Sequence, residues 1–572
     1  MSQNTNLVIR NGTIIDGSGG PPIRADIAVT AGRIAAIGQI SERGAEEIDA
    51  KGLLVTPGFI DPHTHYDAQV TWASRITPSS CQGVTTVLTG NCGVGFAPCR
   101  PRDRGRLVEL MEGVEDIPEV VLTEGLPWNW ESFPEYLDSL AARRFDIDVA
   151  TQVPHAALRV HVMGERGAAR EPATATDRAA MARLAAEAVQ AGALGFSTSR
   201  TLNHKTVAGE SIPTLNAAKA ELDAIATAIG ETGAGWLQVI ADFDTQLPEE
   251  FAMLRRLAAC SGRPLTLTVL ERDAKPDEWR RLLDGIAAAN ADGVAMTGQV
   301  LTRPTGILLG LEISQHPFVD CPSFQPIATV PFAQRLAALR DPELRRRLIA
   351  EASAPSALAR RVRTWNRIFP LGDPPDYEPV PERSFSAEAR RRGLDPAALA
   401  YDSLLEDDGR TILYRPLSNY AHGDLGTVRE MMQHPNTLLG LGDGGAHVGV
   451  LCDASALTYG LTHWTRDRAE GRFPVEWMVR RLTSDNARAI GLEDRGMLRP
   501  GYRADINLID YDHLKLRKPE VVYDLPAGGR RLMQRAEGYV ATIVAGETVW
   551  RDGVPTGALP GRLVRGPQPT PA

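Results

Sequence analysis

The chain has 572 residues, 43% of them hydrophobic and 23% charged, with a formal net charge of −9. This is ordinary globular composition, sufficient for one large domain and a smaller companion. No basic block provides the footprint a phosphate backbone requires, and no apolar run reaches the roughly 18 residues of a membrane span, so neither nucleic acid nor membrane is an expected partner.

Residues 6–55 alternate apolar and polar with period 2 ("NLVIRNGTIIDG", "ADIAVTAGRIAAIGQI"), broken by Gly, Asp and Asn, as half-buried antiparallel strands do. The same texture returns in "YRADINLIDYD" and "GYVATIVAGETVWRDGVP". Residues 1–55 and 491–560 are therefore predicted to form one β-sandwich together. Between them, over 56–490, short apolar runs alternate with helical stretches such as "TDRAAMARLAAEAVQAG", the signature of an α/β parallel sheet. Eight candidate strands ("VTPGFID", "VTTVLTG", "DIDVATQV", "ALGFSTS", "GWLQVIA", "PLTLTVL", "GVAMTGQV", "TLLGLGD") predict a (β/α)8 TIM-like barrel with its chemistry at the strand C-termini. The span exceeds the roughly 250 residues such a barrel needs. Two stretches, 100–138 and 358–393, read as insertions, and the tail 561–572 ("GPQPTPA" at its end) reads as disordered.

The opening "MSQNTNLVIRNG" lacks a basic and then apolar leader, and six cysteines (Cys81, Cys92, Cys99, Cys260, Cys321, Cys452) are scattered without paired spacing. Both features fit a reducing cytoplasm.

At the end of the first candidate strand stands "TPGFIDPHTH". Positions i and i+2 of a strand share a face, so His63 and His65 are expected to aim two imidazoles at one point, as metal binding requires.

These residues carry a resemblance. "VTPGFIDPHTH" resembles the strand-1 motif of the amidohydrolase superfamily, and "GVTTVLTGNCGVGFAP", "VPHAALRVHVMG", "GALGFSTS" and "HPNTLLGLGDGGAH" resemble its D-aminoacylase branch. The resemblance implies that His63 and His65 bind a metal. It implies that Cys92 of "GNCG" is a thiolate ligand and that Asp443 of "LGLGDGGAH" binds the metal and moves a proton. His155 of "VPHAALR" matches a strand-3 histidine of the branch and is expected to act in catalysis or to donate to substrate. His447 and His422 are further substrate-binding candidates, and His204 in "TLNHKT" is a weaker one.

The sequence departs from the branch at four places. The strand-5 and strand-6 metal histidines are absent: Ile240 or a neighbour stands at the first, Val269 and Leu270 at the second. Glu271 replaces a lysine expected to face the substrate, and "GGAHVGVLCDAS" lacks the arginine that follows the strand-8 motif. Apolar side chains cannot ligate zinc, so the expected site is mononuclear: one zinc per chain held by His63, His65, Asp443 and Cys92. The reaction it supports is hydrolysis of a C–N bond in a non-peptidic, cyclic or bulky amide or an N-acyl amino acid derivative, by metal-activated water with Asp443 as general base and acid. An ester or lactone hydrolase and a non-catalytic binding protein are the alternatives. The partner is a small-molecule substrate, and self-association is left open.

Overall fold

Gly58 divides the segment VTPGFID between two sheets: Leu54–Pro57 belongs to one and Phe59–Asp61 to the other. A Cβ at Gly58 would lie 2.2 Å from the Thr85 side chain, so the crossing passes too close to the neighbouring strand for any larger residue. The computed structural model describes residues 5–243, 247–356 and 358–572.

The first sheet draws on both chain ends. Leu54–Pro57 pairs antiparallel with Ile506–Ile509, and these two join Leu7–Ile14, Ile23–Thr30 and Arg33–Gly38 from the start to Tyr539–Val544 and Glu547–Arg551 from the end. The expected sandwich takes the form of this single nine-stranded sheet, with Leu7, Ile9, Ile27, Val55, Ile506, Leu508 and Ile543 packed together.

The second system is a run of parallel strands: Phe59–Asp61, Val84–Thr89, Asp148–Thr151 continued as Val153–Pro154, Gly195–Arg200, Trp236–Ala241, Leu265–Thr268, Met296–Val300 and Thr437–Leu439. Each is hydrogen-bonded to the next in chain order. Beyond the first and last strands, Thr64 and Gly444 form a parallel bridge, with His65 N–H donating to Gly444 O at 2.8 Å. Ile60, Leu88, Ala150, Leu194, Trp236 and Leu438 pack in one apolar cluster with Leu492 and Val564. The opposite faces of the strands meet helices such as Ala175–Ala191. That helix starts at a Thr174/Asp177 capping box, buries Met181, Ala185 and Ala188 at helical spacing, and stops at Gly192 with φ 118°.

The first insertion is helical. Its aromatics pack rather than line a pocket: Trp130 lies 5.0 Å from Tyr136 and its Nε1 donates to Phe96 O at 2.9 Å. The second is larger than the Arg/Pro-rich stretch indicates. Gly306–Leu309, Leu413–Pro416 and Phe369–Pro370 form an antiparallel sheet, with a core of its own that includes Phe318, Phe385 and Tyr401. The tail 561–572 is not a free end. Gly561 bridges Phe145, Leu563 bridges Val149 and Gln568 bridges Leu492, because Leu563 and Val564 bury apolar surface there despite the surrounding Pro and Gly. Among the described residues no helix is long and apolar enough to cross a membrane.

Candidate metal centre and active site

The parallel strands end on one side in a buried cluster. His63, His65 and Cys92 offer ligand atoms that all lie within 4.8 Å of one another. His63 Nε2 is 3.3 Å from Cys92 Sγ and 3.5 Å from Asp443 Oδ1, and His65 Nε2 is 3.7 Å from the same carboxylate oxygen. Two imidazoles, a thiol and a carboxyl converging in a buried site form a donor set that suits a divalent metal, zinc foremost.

Each member is aimed by its surroundings. Gln299, on strand Met296–Val300, binds His63 Nδ1 at 2.6 Å, which turns Nε2 toward Cys92 and Asp443. Cys92 sits in the left-handed region at φ 54°, between Gly90 and Gly93, which also have positive φ. A Cβ at Gly90 would lie 2.2 Å from Gln152 O, so this turn needs glycine. Cys92 N–H donates to Gln238 Oε1 at 2.7 Å and Gly93 N–H to Ser197 Oγ at 2.9 Å. Asp443 and His447 are also left-handed, at φ 43° and 49°. Three non-glycine residues in this sparsely populated region at one site mark backbone strain held by its surroundings, as functional sites commonly do.

The charge balance is one-sided. Burial pushes the Asp443 carboxyl well above the usual range, with Asp453 and Asp61 adding to it. Burial, Asp443 and Asp67 do the same to Glu115, and burial takes Asp67 to about 8 against the lowering effect of backbone hydrogen bonds, one from Gly90. Burial raises the Cys92 thiol and lowers His63 to about 4. Among the described residues no lysine or arginine lies within ion-pair distance of Asp443, Glu115 or Asp67. Buried acids without a counter-charge favour their neutral forms, and a bound dication reverses that preference.

The remaining sequence candidates divide. His447 is drawn to the cluster, its Nε2 3.8 Å from Glu115 Oε2. His204 is close enough to act electrostatically on His65; its Nδ1 is held by Ser199 Oγ at 2.9 Å, and burial, then His447 and His63, lower it to about 3. His155 lies elsewhere. It is fully buried between Thr198 Oγ1 at 2.8 Å from Nδ1 and Glu221 Oε1 at 2.9 Å from Nε2. Thr198 alternates with Ser197, the residue that reaches Gly93, so His155 packs behind the strand against helix Lys219–Glu231. With both ring nitrogens engaged, the expected catalytic and substrate role of His155 gives way to a structural one.

Glu271 is likewise fully buried, accepting from Ala421 N at 2.8 Å and Thr427 Oγ1 at 2.7 Å. His422 lies 3.5 Å from it with an exposed side chain. Glu271 holds the 419–427 loop to the end of a strand, in place of the substrate binding expected of it.

Sequence reading missed Glu115, Gln299 and Gln238. The glutamines carried a signal, each placing an amide side chain within a short strand ("MTGQV", "WLQVIA"). Glu115 carried none, because it ends a helix inside the first insertion. Where the strand-5 and strand-6 ligands are lacking, Val269 and Leu270 pack with apolar neighbours.

A family model described as "Amidohydrolase family" matches residues 46–550. The chain belongs to the amidohydrolase family. Among curated relatives, a D-aminoacylase from Alcaligenes xylosoxydans xylosoxydans is 30% identical, with 98% of each chain covered. An N-acyl-D-aspartate deacylase of the same organism is also 30% identical, covering 98% of this chain and 94% of the relative. Among solved structures, an N-acyl-D-glutamate deacylase from Bordetella bronchiseptica, complexed with zinc and a phosphonate inhibitor, has a TM-score of 0.66 and 25% identity, with 98% of this chain and 100% of that one covered. This amidohydrolase thus falls in the D-aminoacylase branch and is a hydrolase of carbon–nitrogen bonds other than peptide bonds.

Proposed function

We propose that this amidohydrolase cleaves the amide of an N-acyl-D-amino acid or a bulkier or cyclic relative, using one divalent ion per chain. The observation that carries the reading is the convergence of His63, His65 and Cys92 within 4.8 Å, with Asp443 against both histidines. The eight parallel strands are read as a (β/α)8 barrel, which the Thr64–Gly444 bridge supports, with residues 56–490 as the hydrolase unit and 1–55 and 491–560 as the β unit. Six unpaired cysteines favour a reducing compartment.

His63, His65, Cys92 and Asp443 would hold the ion, and the nitrogen and sulfur donors favour zinc. When bound, such an ion polarises a carbonyl and acidifies water. Asp443 stands on a strained corner with its carboxyl partly open, where it takes the proton of the attacking water and returns it to the leaving nitrogen. Gln299 holds His63 in the tautomer whose Nε2 faces the centre. The branch's substrate-facing lysine is replaced by Glu271, which is engaged by its own loop. Carboxylate capture by that residue is therefore absent, which favours substrates bound chiefly through their acyl or side-chain bulk.

The test is elemental analysis of protein purified without added metal, followed by turnover on N-acyl-D-amino acids, their L enantiomers, cyclic amides and matched esters. About one zinc per chain and D-selective amide turnover support the reading. Metal-free, folded protein that takes up no zinc overturns it, and turnover confined to esters overturns the bond assignment.

A further inference from the structure

The two histidines are oriented by chemically different partners. His63 Nδ1 meets the neutral amide of Gln299 at 2.6 Å, whereas His65 Nδ1 meets the Glu115 carboxyl at 3.3 Å. Glu115 is 1% exposed and lies 50 residues further along the chain, at the last position of helix Arg104–Glu115. Its Oε2 and His65 Nδ1 are both buried without a hydrogen-bond partner among the described residues, and Oε2 faces His447 Nε2 at 3.8 Å.

The corner that carries Glu115 is anchored to the loop beyond the eighth strand. Val448 N–H donates to Glu115 O at 3.3 Å, and Gly449 N–H donates to Asp116 Oδ2 at 3.1 Å. Asp116 Oδ2 also accepts from Ser314 Oγ at 2.8 Å, and Asp116 itself is left-handed at φ 55°. A carboxyl is thereby delivered by an insertion to the back of one metal-ligand histidine.

We propose that Glu115 is a positioning residue for the metal centre: it holds the proton of His65 on Nδ1, leaves Nε2 free as the ligand atom, and tethers His447 to the same carboxyl. A carboxylate behind a ligating imidazole fixes ring orientation and raises ligand basicity, and losing such a partner typically weakens metal binding about 10–100-fold. The uncharged Gln299 contributes orientation alone, so His65 is the stronger of the two nitrogen donors. This inference rests on the metal-dependent reading above.

The experiment compares wild type, Glu115→Gln and Glu112→Gln by zinc competition with a chromophoric chelator and by the visible spectrum of the cobalt-substituted proteins. Glu115→Gln keeps the size and removes the charge; Glu112→Gln removes a charge from the same helix, where its carboxylate accepts from Glu119 N–H and not from His65. Zinc binding about 10–100-fold weaker with a shifted cobalt spectrum in Glu115→Gln, and within about twofold of wild type in Glu112→Gln, supports the proposal. Equal affinity in Glu115→Gln and wild type overturns it, as does an equal loss in both variants, which would reduce Glu115 to a structural element. Wild type that binds no zinc overturns the metal-dependent function itself and is thereby distinguishable. Should Glu115→Gln not fold, nitrogen-15 spectra of the zinc-loaded wild type decide: protonated Nδ1 on His65 supports the proposal, and protonated Nε2 overturns it.

Discussion

The two ends of the parallel strands treat buried carboxylates in opposite ways. At the end near the chain's tail, Asp148 is fully buried yet bound by Arg495 at 2.6 Å and Arg503 at 3.0 Å, with Arg562 N–H adding a third donor at 2.9 Å. At the other end Asp443 and Glu115 face histidines, and among the described residues no lysine or arginine lies within ion-pair distance of Asp443, Glu115 or Asp67. A saturated carboxylate fixes structure, whereas unsaturated acids store a demand for positive charge, which a metal meets. The first arrangement serves stability and the second serves chemistry.

The contrast is broken most forcefully by exchanging losses between the two ends. Asp443→Asn should lower kcat about 10²–10⁴-fold while leaving the melting temperature unchanged or higher, since it removes a partly buried acid that no lysine or arginine neutralises; calorimetry beside turnover checks both. A melting temperature well below wild type would place Asp443 among the stabilising residues. Asp148→Ala strands two buried guanidinium groups and should cost about 3–5 kcal/mol of stability. Denaturant unfolding reads that loss, and kcat per folded molecule should not change.

Metal removal sharpens the same division. After chelation, zinc restored to 100 times its dissociation constant should add about 2.7 kcal/mol of stability to wild type and far less to His63→Ala/His65→Ala. A gain of equal size in the double variant would mean the zinc binds elsewhere.

The most gradual effect, spread over pH, concerns the network that His155 joins. Burial alone would raise the Glu221 carboxyl, but hydrogen bonds from His155 and Arg159 hold it at about 2, against 4.5 for the free group. The unfolded chain therefore takes up this proton first as pH falls. The contribution is complete above about pH 4.5 and declines toward pH 2 by at most about 1.4 kcal/mol per pH unit. Acid unfolding of Glu221→Gln should be flatter than wild type over that window. Identical curves would show that the network does not matter for stability.

Much of this molecule is legible in its sequence because the governing signals are short-range. All eight candidate strands contribute to the parallel run, since short apolar runs alternating with helical stretches point to a parallel sheet buried on both faces. His63 and His65 share a face because alternation along an extended chain requires it. What adjacency did not encode was the partner of each polar group. His155 and Glu271 sit at strand ends, as the chemistry would have them, yet the packed chain gave His155 to Glu221 and Glu271 to the 419–427 loop. Glu115 reached His65 only because an inserted helix folds back over the centre. Side-chain direction along one strand is a local property of the backbone, but the atom that satisfies a buried donor or acceptor is chosen by long-range approach, which tertiary structure alone decides.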